Sequence, residues 1–267
     1  MARVRVGQIE LDCERSGSGP PLLLIMGMSG TALHWGEPFL ERLRGDFEVI
    51  AYDHRGVGES SRLEGPVTIA QLAQDASGLL SALELDSAHV LGVSMGGMIA
   101  QELALAHPEQ VRTLTLGCTY AGGPSSTQTD PAVLQRLGAA MMSGDRPLAL
   151  RTGWEANVSR PFAENADAYT AFLAIAERRA VAVPVVMAQL QACVAHDTAE
   201  RLGGVAAPTL VIHGTEDEML PVENGRLIAS LIPGSSLEIL DGTGHMFWFE
   251  QPERSAELVR SHAAVPA

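Results

Sequence analysis

Three kinds of side chain that together can break an acyl bond follow one another along this chain. Ser94 lies between two glycines in "GVSMG", and three neighbouring carboxylates, Glu216, Asp217 and Glu218, come later in "VIHGTEDEMLP". His245 follows in "LDGTGHMFW". A serine hydroxyl is a weak nucleophile at neutral pH, so it needs a base, and a histidine base needs a carboxylate that orients its ring. The set predicts acyl transfer by a serine, a histidine and one of these carboxylates.

The sequence around Ser94 favours a nucleophile over an ordinary turn. The apolar run "HVLGV" predicts a buried strand, and "MGGMIAQELALAH" predicts a helix that ends before Pro108. A strand-to-helix turn is sharp, so positions 92 and 96 require small residues. The positive end of the following helix favours a developing oxyanion. The alternative interpretation is a structural turn with a polar tip.

His245 is the candidate base because, of the eight histidines, it alone lies in a glycine-flanked loop after the last predicted strand. The others are expected at surface, capping or core positions, although His34 and His196 are also candidates for lining a pocket. The remaining five are His54, His89, His107, His213 and His262.

The elements that must position these residues alternate between strand and helix. An opening hairpin is predicted around Gly7, and short apolar runs such as "LLLIMG", "FEVIAYD" and "PTLVIHG" are typical of strands buried on both faces of a parallel sheet. Residues 68–85 carry apolar side chains on one helical stripe, with Thr68 as the predicted cap. The alternation predicts an α/β fold with a central, mostly parallel sheet flanked by helices.

The alternation stops between residues 121 and 206. This segment, called the insertion below, predicts helices over about 131–142, 146–158 and 165–196, rich in Ala, Met and Leu. We expect a helical cap or lid here, inserted into a core domain made of residues 1–120 and 207–267. Extra core helices are the alternative.

Composition limits the partners. The chain has 267 residues and a formal net charge of −14, and an acidic chain repels nucleic acid and anionic membrane surfaces. Its three cysteines are far apart, which argues against a disulfide framework or a zinc site. The N-terminal region lacks a signal-peptide pattern, so we expect a cytoplasmic protein, monomeric or homodimeric. No ligand spacing or phosphate-binding loop indicates a metal or a cofactor, so none is expected.

Four blocks, "YDHRGVGES", "GVSMGG", "VIHGTEDEMLP" and "GTGHMFWFEQPE", resemble the recurring motifs of the α/β-hydrolase superfamily in order and spacing. The resemblance implies Ser94 as nucleophile, His245 as base and Asp217 as acid, because the family places its acid four residues before a proline, here Pro221. Glu216 is the alternative acid.

The resemblance also implies an oxyanion hole made of two backbone N–H groups, those of Met95 and Met28. The family usually has His-Gly where this chain has Met26-Gly27, a departure that resembles the branch holding aclacinomycin methylesterase and points to ester substrates. The block around Asp53 is mostly structural in this family.

The pocket is expected to be apolar and to take a small neutral ester or lactone. The residues expected to line it are Gly27, His34, Trp35, Met141, Trp154, Phe162, Met187 and Met246, and Met142 and Phe172 are further candidates in the insertion. The predicted activity is a serine hydrolase cleaving a carboxylic ester. The alternatives are a lactonase for enol- or acyl-lactones, a carbon–carbon bond hydrolase, a cofactor-free haloperoxidase or perhydrolase, and a ligand receptor that keeps the triad.

Overall fold

The computed structural model describes residues 2–265. These residues form an eight-stranded sheet. In chain order its strands are β1 (Ala2–Val6), β2 (Ile9–Gly17), β3 (Pro21–Ile25), β4 (Glu48–Tyr52), β5 (Ala88–Val93), β6 (Val111–Gly117), β7 (Thr209–Gly214) and β8 (Ser236–Leu240). The order across the sheet is β1-β2-β4-β3-β5-β6-β7-β8. Strands β1, β2 and β4 pair antiparallel, and every pair from β4–β3 to β7–β8 is parallel.

Burial of the strands follows their position in the sheet. Every residue of β3, β5 and β7 is buried, as the continuous apolar runs predict for central parallel strands. Strand β1 at the edge is partly exposed and joins β2 through a hairpin in which Gly7 has a φ of 58°. The predicted mostly parallel α/β sheet is confirmed.

Helices cover both faces of the sheet. They are α1 (Glu37–Arg44), α2 (Ile69–Ala82), α3 (Met95–Ala106), α4 (Pro131–Met142), α5 (Arg146–Asn157), α6 (Arg160–Ala163), α7 (Ala166–Arg178), α8 (Val183–Val194), α9 (Glu223–Leu231), α10 (Phe247–Glu250) and α11 (Pro252–Ala263). Apolar residues of α2, α3 and α9 pack into one core cluster, and those of α1 and α11 pack into a second. Within residues 2–265 no helix is long and apolar enough to cross a membrane.

The insertion contains α4 to α8 and lies between β6 and β7 in the chain. One sequence-based prediction is wrong here, because residues 165–196 form two helices and not one. Helix α7 ends at Arg178, and α8 begins at Val183 with Pro184 in its first turn. Proline lacks an N–H and disfavours helical backbone at the preceding residue, so the helix must restart there. The break places Arg179 between the two helices.

Candidate active site

Ser94 is held in strained backbone at the carboxyl end of β5. Its φ is 55° and its ψ is −124°, a conformation that non-glycine residues rarely adopt. Hydrogen bonds of its backbone fix it: its N–H donates to Gly117 O at 2.9 Å, and its carbonyl accepts from Gly97 N at 2.9 Å, from Met98 N at 3.2 Å and from the Thr119 hydroxyl at 2.7 Å. The turn therefore holds a partly exposed hydroxyl in one position at the start of α3.

The glycines around Ser94 are there because backbone segments pass too close for any side chain. A Cβ at Gly96 would lie 1.9 Å from Ile25 O, and a Cβ at Gly92 would lie 2.2 Å from Gly96 O. Gly27, in the loop after β3, is also close, since a Cβ there would lie 3.0 Å from the Ser94 Cβ. The three glycines bring the loop after β3 directly against the serine.

Asp217 and His245 form a buried hydrogen-bonded pair. His245 Nδ1 lies 2.7 Å from Asp217 Oδ2, and the other carboxylate oxygen accepts from the backbone N–H groups of Met219 and Leu220 at 2.9 and 2.8 Å. Because an ionised carboxylate only accepts, Nδ1 carries the proton and Nε2 is left as an acceptor. His245 and Ser94 line the same cavity.

The neighbouring carboxylates make different contacts. Glu216 accepts from the backbone N–H of Arg160 at 3.2 Å, and Glu218 forms ion pairs with Arg136 at 2.7 Å and Arg160 at 3.6 Å. Asp217 is thus the carboxylate of the three that contacts the His245 ring.

His213, expected only as a surface, capping or core residue, is fully buried and contacts the same acid. Its Nε2 lies 3.1 Å from Asp217 Oδ2 and 2.7 Å from Leu220 O, both of which accept. Burial acts to raise the pKa of Asp217, but the charge of His245 and the hydrogen bonds from both histidines lower that pKa to about 2. The signal in the sequence was a histidine at the end of a strand, four residues before the acid.

Cys118 adds a third group beside this pair. Its sulfur, a carboxylate oxygen of Asp217 and a ring nitrogen of His245 lie within 4.8 Å of one another, the one such cluster among the described residues. Burial raises the pKa of the Cys118 thiol well above its usual value, so the sulfur stays protonated and is a poor metal ligand. The residues present do not fit a metal site, and the arrangement is an acid–base pair with a neutral thiol beside it.

The two residues expected to supply the oxyanion donors follow the carboxyl ends of β5 and β3. Met95 is the first residue of α3, directly after Ser94, and Met28 is in the loop after β3. The block around Asp53 supports that loop: Asp53 accepts from Ala32 N at 2.7 Å, and His54 donates from Nε2 to Met26 O at 2.8 Å. Through these two hydrogen bonds the "YDHRG" motif stabilises the loop after β3.

A cavity of about 530 Å³ opens at Ser94. Five of the expected pocket and oxyanion residues line it beside Ser94 and His245, and they are Gly27, Met28, His34, Met141 and Met246. Phe172, a further candidate in the insertion, also lines it, but sequence reasoning missed other lining residues, among them Asn157, Arg146 and Arg179. Arg179 lies in the break between α7 and α8, which the sequence-based prediction of one continuous helix did not contain.

Four expected pocket residues lie elsewhere, and the further candidates Met142 and His196 are also absent from the cavity wall. Trp35 and Trp154 are fully buried in the second core cluster, and the Trp154 ring nitrogen donates to Ala163 O at 3.1 Å. Phe162 packs on Trp154 with ring centres 5.8 Å apart, and Met187 is 44% exposed on α8. Apolar residues at helical spacing do not reveal whether they face a core, a cavity or solvent.

Known proteins resemble this chain over almost its whole length. Residues 20–252 match the family described as alpha/beta hydrolase fold. The chain is 32% identical over 257 residues to the "Putative carbamate hydrolase RutD" of Azorhizobium caulinodans, covering 95% of this chain and 94% of that protein. It is 31% identical over 242 residues to a poly(3-hydroxyalkanoate) depolymerase of Ectopseudomonas oleovorans, covering 90% and 82%.

A solved structure is similar along its full length. The enol-lactonase from Burkholderia xenovorans has a TM-score of 0.84 and 26% sequence identity, covering 99% of this chain and 100% of that one. The parallel sheet, the serine turn after β5 and the match over residues 20–252 agree, and they show that the chain belongs to the alpha/beta hydrolase family.

Proposed function

We propose that the chain is a serine hydrolase that cleaves a carboxylic ester through an acyl-enzyme, with Ser94 as nucleophile, His245 as base and Asp217 as the orienting acid. The family and the names of its relatives support a hydrolase. The observation that carries the finer proposal is the buried Asp217–His245 pair, which opens onto the same cavity as the strained Ser94 turn.

In the first half-reaction the Ser94 hydroxyl gives its proton to His245 Nε2 while Oγ bonds to the acyl carbon. The negative charge that develops on the substrate oxygen is stabilised by the N–H groups of Met28 and Met95. The imidazolium then protonates the departing alcohol, and the acyl group stays on Ser94. In the second half, water gives a proton to His245 and attacks the acyl carbon. The acyl–Oγ bond then breaks as the imidazolium returns that proton to Ser94 Oγ, which releases the acid and restores the serine and the neutral histidine.

The wall of the cavity supports a largely apolar substrate. Methionine, valine and phenylalanine side chains form much of it, and the insertion contributes Met141, Phe172 and Val186. We assign the insertion the role of a cap that sets which acyl or alcohol part fits. A lactone is the second candidate, because an enol-lactonase matches this chain over its full length.

The test is covalent labelling followed by turnover. A fluorophosphonate should add its mass once, on Ser94, and Ser94→Ala should lose both the label and about a million-fold in kcat. Parallel panels of p-nitrophenyl esters and of lactones of matched chain length would then separate the two candidates. Labelling at another residue, or an alanine variant that turns over normally, would contradict the proposal.

A further inference from the structure

The loop after β3, residues 26–32, must present the Met28 N–H to the substrate oxygen, yet it is irregular and partly strained. Ser29 has a φ of 59°, which disfavours any residue other than glycine. One internal hydrogen bond closes the loop, from Gly30 N to Gly27 O at 3.3 Å. A loop of this kind keeps one shape only when its surroundings hold it.

The core domain holds the two ends of this loop. His54 donates to Met26 O at the start, and Asp53 accepts from Ala32 N at the end. Neither contact reaches the middle of the loop, where Met28 lies. Something else must fix the peptide that follows the oxyanion donor.

The insertion supplies that contact through Gln189. This residue lies on α8, its side chain is almost completely buried, and its Oε1 accepts from Ser29 N at 2.9 Å. The Gln189 Nε2 is buried without a hydrogen-bond partner among the described residues. Burying an amide whose N–H groups have no partner costs free energy. The hydrogen bond that Oε1 accepts from Ser29 N is the contact that offsets part of this cost.

Arg179 makes a second contact between the insertion and the same support. Its Nη1 donates to Asp53 Oδ2 at 2.6 Å and to Asp12 Oδ2 at 2.7 Å. Both carboxylates are buried, so the guanidinium neutralises the acid that holds Ala32 N. The break between α7 and α8 is what lets Arg179 reach them.

We propose that Gln189 is a positioning residue for the oxyanion hole, and that the insertion, with Arg179 as its second contact, sets the geometry of the catalytic loop as well as the wall of the cavity. The proposal rests on the proposed serine-hydrolase function. Met28 lies between two anchored backbone atoms, Met26 O on its N-terminal side and Ser29 N on its C-terminal side. His54 holds the first and Gln189 holds the second.

Loss of the hydrogen bond between Gln189 and Ser29 should change the rate of the reaction. An oxyanion donor acts on the transition state more than on the bound substrate, and a displacement of the order of 1 Å can cost about 100-fold in rate. Loss of the Gln189 acceptor should therefore lower kcat with little change in KM. A residue that only shaped the pocket would change KM first.

The experiment compares three variants of the full chain on one p-nitrophenyl ester. Gln189→Met removes the acceptor at similar size, Gln189→Glu keeps an acceptor oxygen in the same place, and Gln191→Met is the matched control on the exposed face of α8. We expect Gln189→Met to lower kcat by about 10- to 100-fold, Gln189→Glu to recover most of it, and Gln191→Met to match the wild type.

The second readout is the affinity of an alkylboronic acid, which bonds to Ser94 as a tetrahedral adduct and places an oxygen at the oxyanion position. In Gln189→Met its Ki should rise by the same factor by which kcat/KM falls. An unchanged kcat, a change confined to KM, or an unchanged boronate Ki in folded protein would overturn the inference. Should Gln189→Met not fold, Arg179→Gln is measured for kcat and boronate Ki only, because Arg179 also lines the cavity and can change KM; an unchanged kcat or an unchanged Ki would again overturn the inference.

Different results would contradict the serine-hydrolase function and the role of Gln189. If Ser94→Ala keeps its activity, the serine-hydrolase function is wrong. If Ser94→Ala is inactive and Gln189→Met has wild-type kcat and boronate affinity, the function stands and only the role of Gln189 is wrong.

Discussion

The loops at the carboxyl ends of the strands and the helical insertion are built in opposite ways. The hydrogen-bond partners of the Asp217 carboxylate lie at or just after the carboxyl ends of β7 and β8: His245, His213 and the backbone N–H groups of Met219 and Leu220. In the insertion, by contrast, no residue of α7 is fully buried, and the Met142 side chain on α4 is 89% exposed.

Under the proposed function, this difference separates the residues that carry out the chemistry from the residues that select the substrate. Groups that transfer protons need fixed positions and little water, and the sheet provides both by burying the strand ends. A wall that selects a substrate needs shape, and loosely packed helices can change shape without disturbing the sheet. The contacts of Gln189 and Arg179 are where the two regions meet.

The largest effect is expected at the acid. Asp217→Asn should keep the fold but lower kcat by about ten-thousand-fold, because an amide favours the wrong imidazole tautomer of His245. Glu216→Gln is the control, since Glu216 contacts the backbone of Arg160 and not the ring. Steady-state kinetics on both variants, with circular dichroism for folding, would check this. A greater loss in Glu216→Gln would show that the acid is misassigned.

A smaller loss of activity is expected when His213, the second histidine that contacts Asp217, is replaced. His213→Leu removes a donor to the Asp217 carboxylate, and such a bond is worth about 1.5–3 kcal/mol, or roughly 10- to 100-fold in kcat/KM. His213→Gln keeps an N–H in reach and should recover part of the rate. If folded His213→Leu protein had the wild-type kcat/KM, the hydrogen bonds from His245, Met219 and Leu220 would be sufficient to hold the acid.

His34 should make the stability of the protein depend on pH. Burial lowers the pKa of His34 to about 4, whereas an unfolded histidine has a pKa near 6.5. Between these values the unfolded chain binds a proton that the folded chain does not, so stability falls as the pH falls. His34→Gln should remove about 2 kcal/mol of the loss in unfolding free energy between pH 7 and pH 5, measured by urea denaturation. Identical pH dependence in both proteins would contradict this.

The smallest effect is expected on the outer face of the insertion. Met142→Gln replaces an exposed side chain, so unfolding free energy should change by no more than about 0.5 kcal/mol and kcat should not change. Thermal unfolding and ester turnover would check both. A marked loss would show that this face is covered in solution, and the contrast between the two regions would need revision.

The strands and the serine turn could be predicted because their signals are local. Continuous apolar runs indicated β3, β5 and β7, and "GVSMG" between a strand and a helix indicated the Ser94 turn. The confirmed family resemblance rests on the same blocks. The insertion was predicted less well, because a stripe of apolar residues on a helix does not say which neighbour it meets. Trp154 was therefore assigned to the cavity although it lies in the core.

The sequence by itself determined the order of serine, acid and histidine, the alternation of strands and helices, and the place of the insertion, since each depends on residues close together in the chain. Only the tertiary structure decided that His213 shares the acid with His245, and that Gln189 reaches Ser29 across 160 positions of sequence. Contacts of that kind depend on how separate elements pack, and no local pattern of residue types encodes the direction in which a single buried polar side chain points.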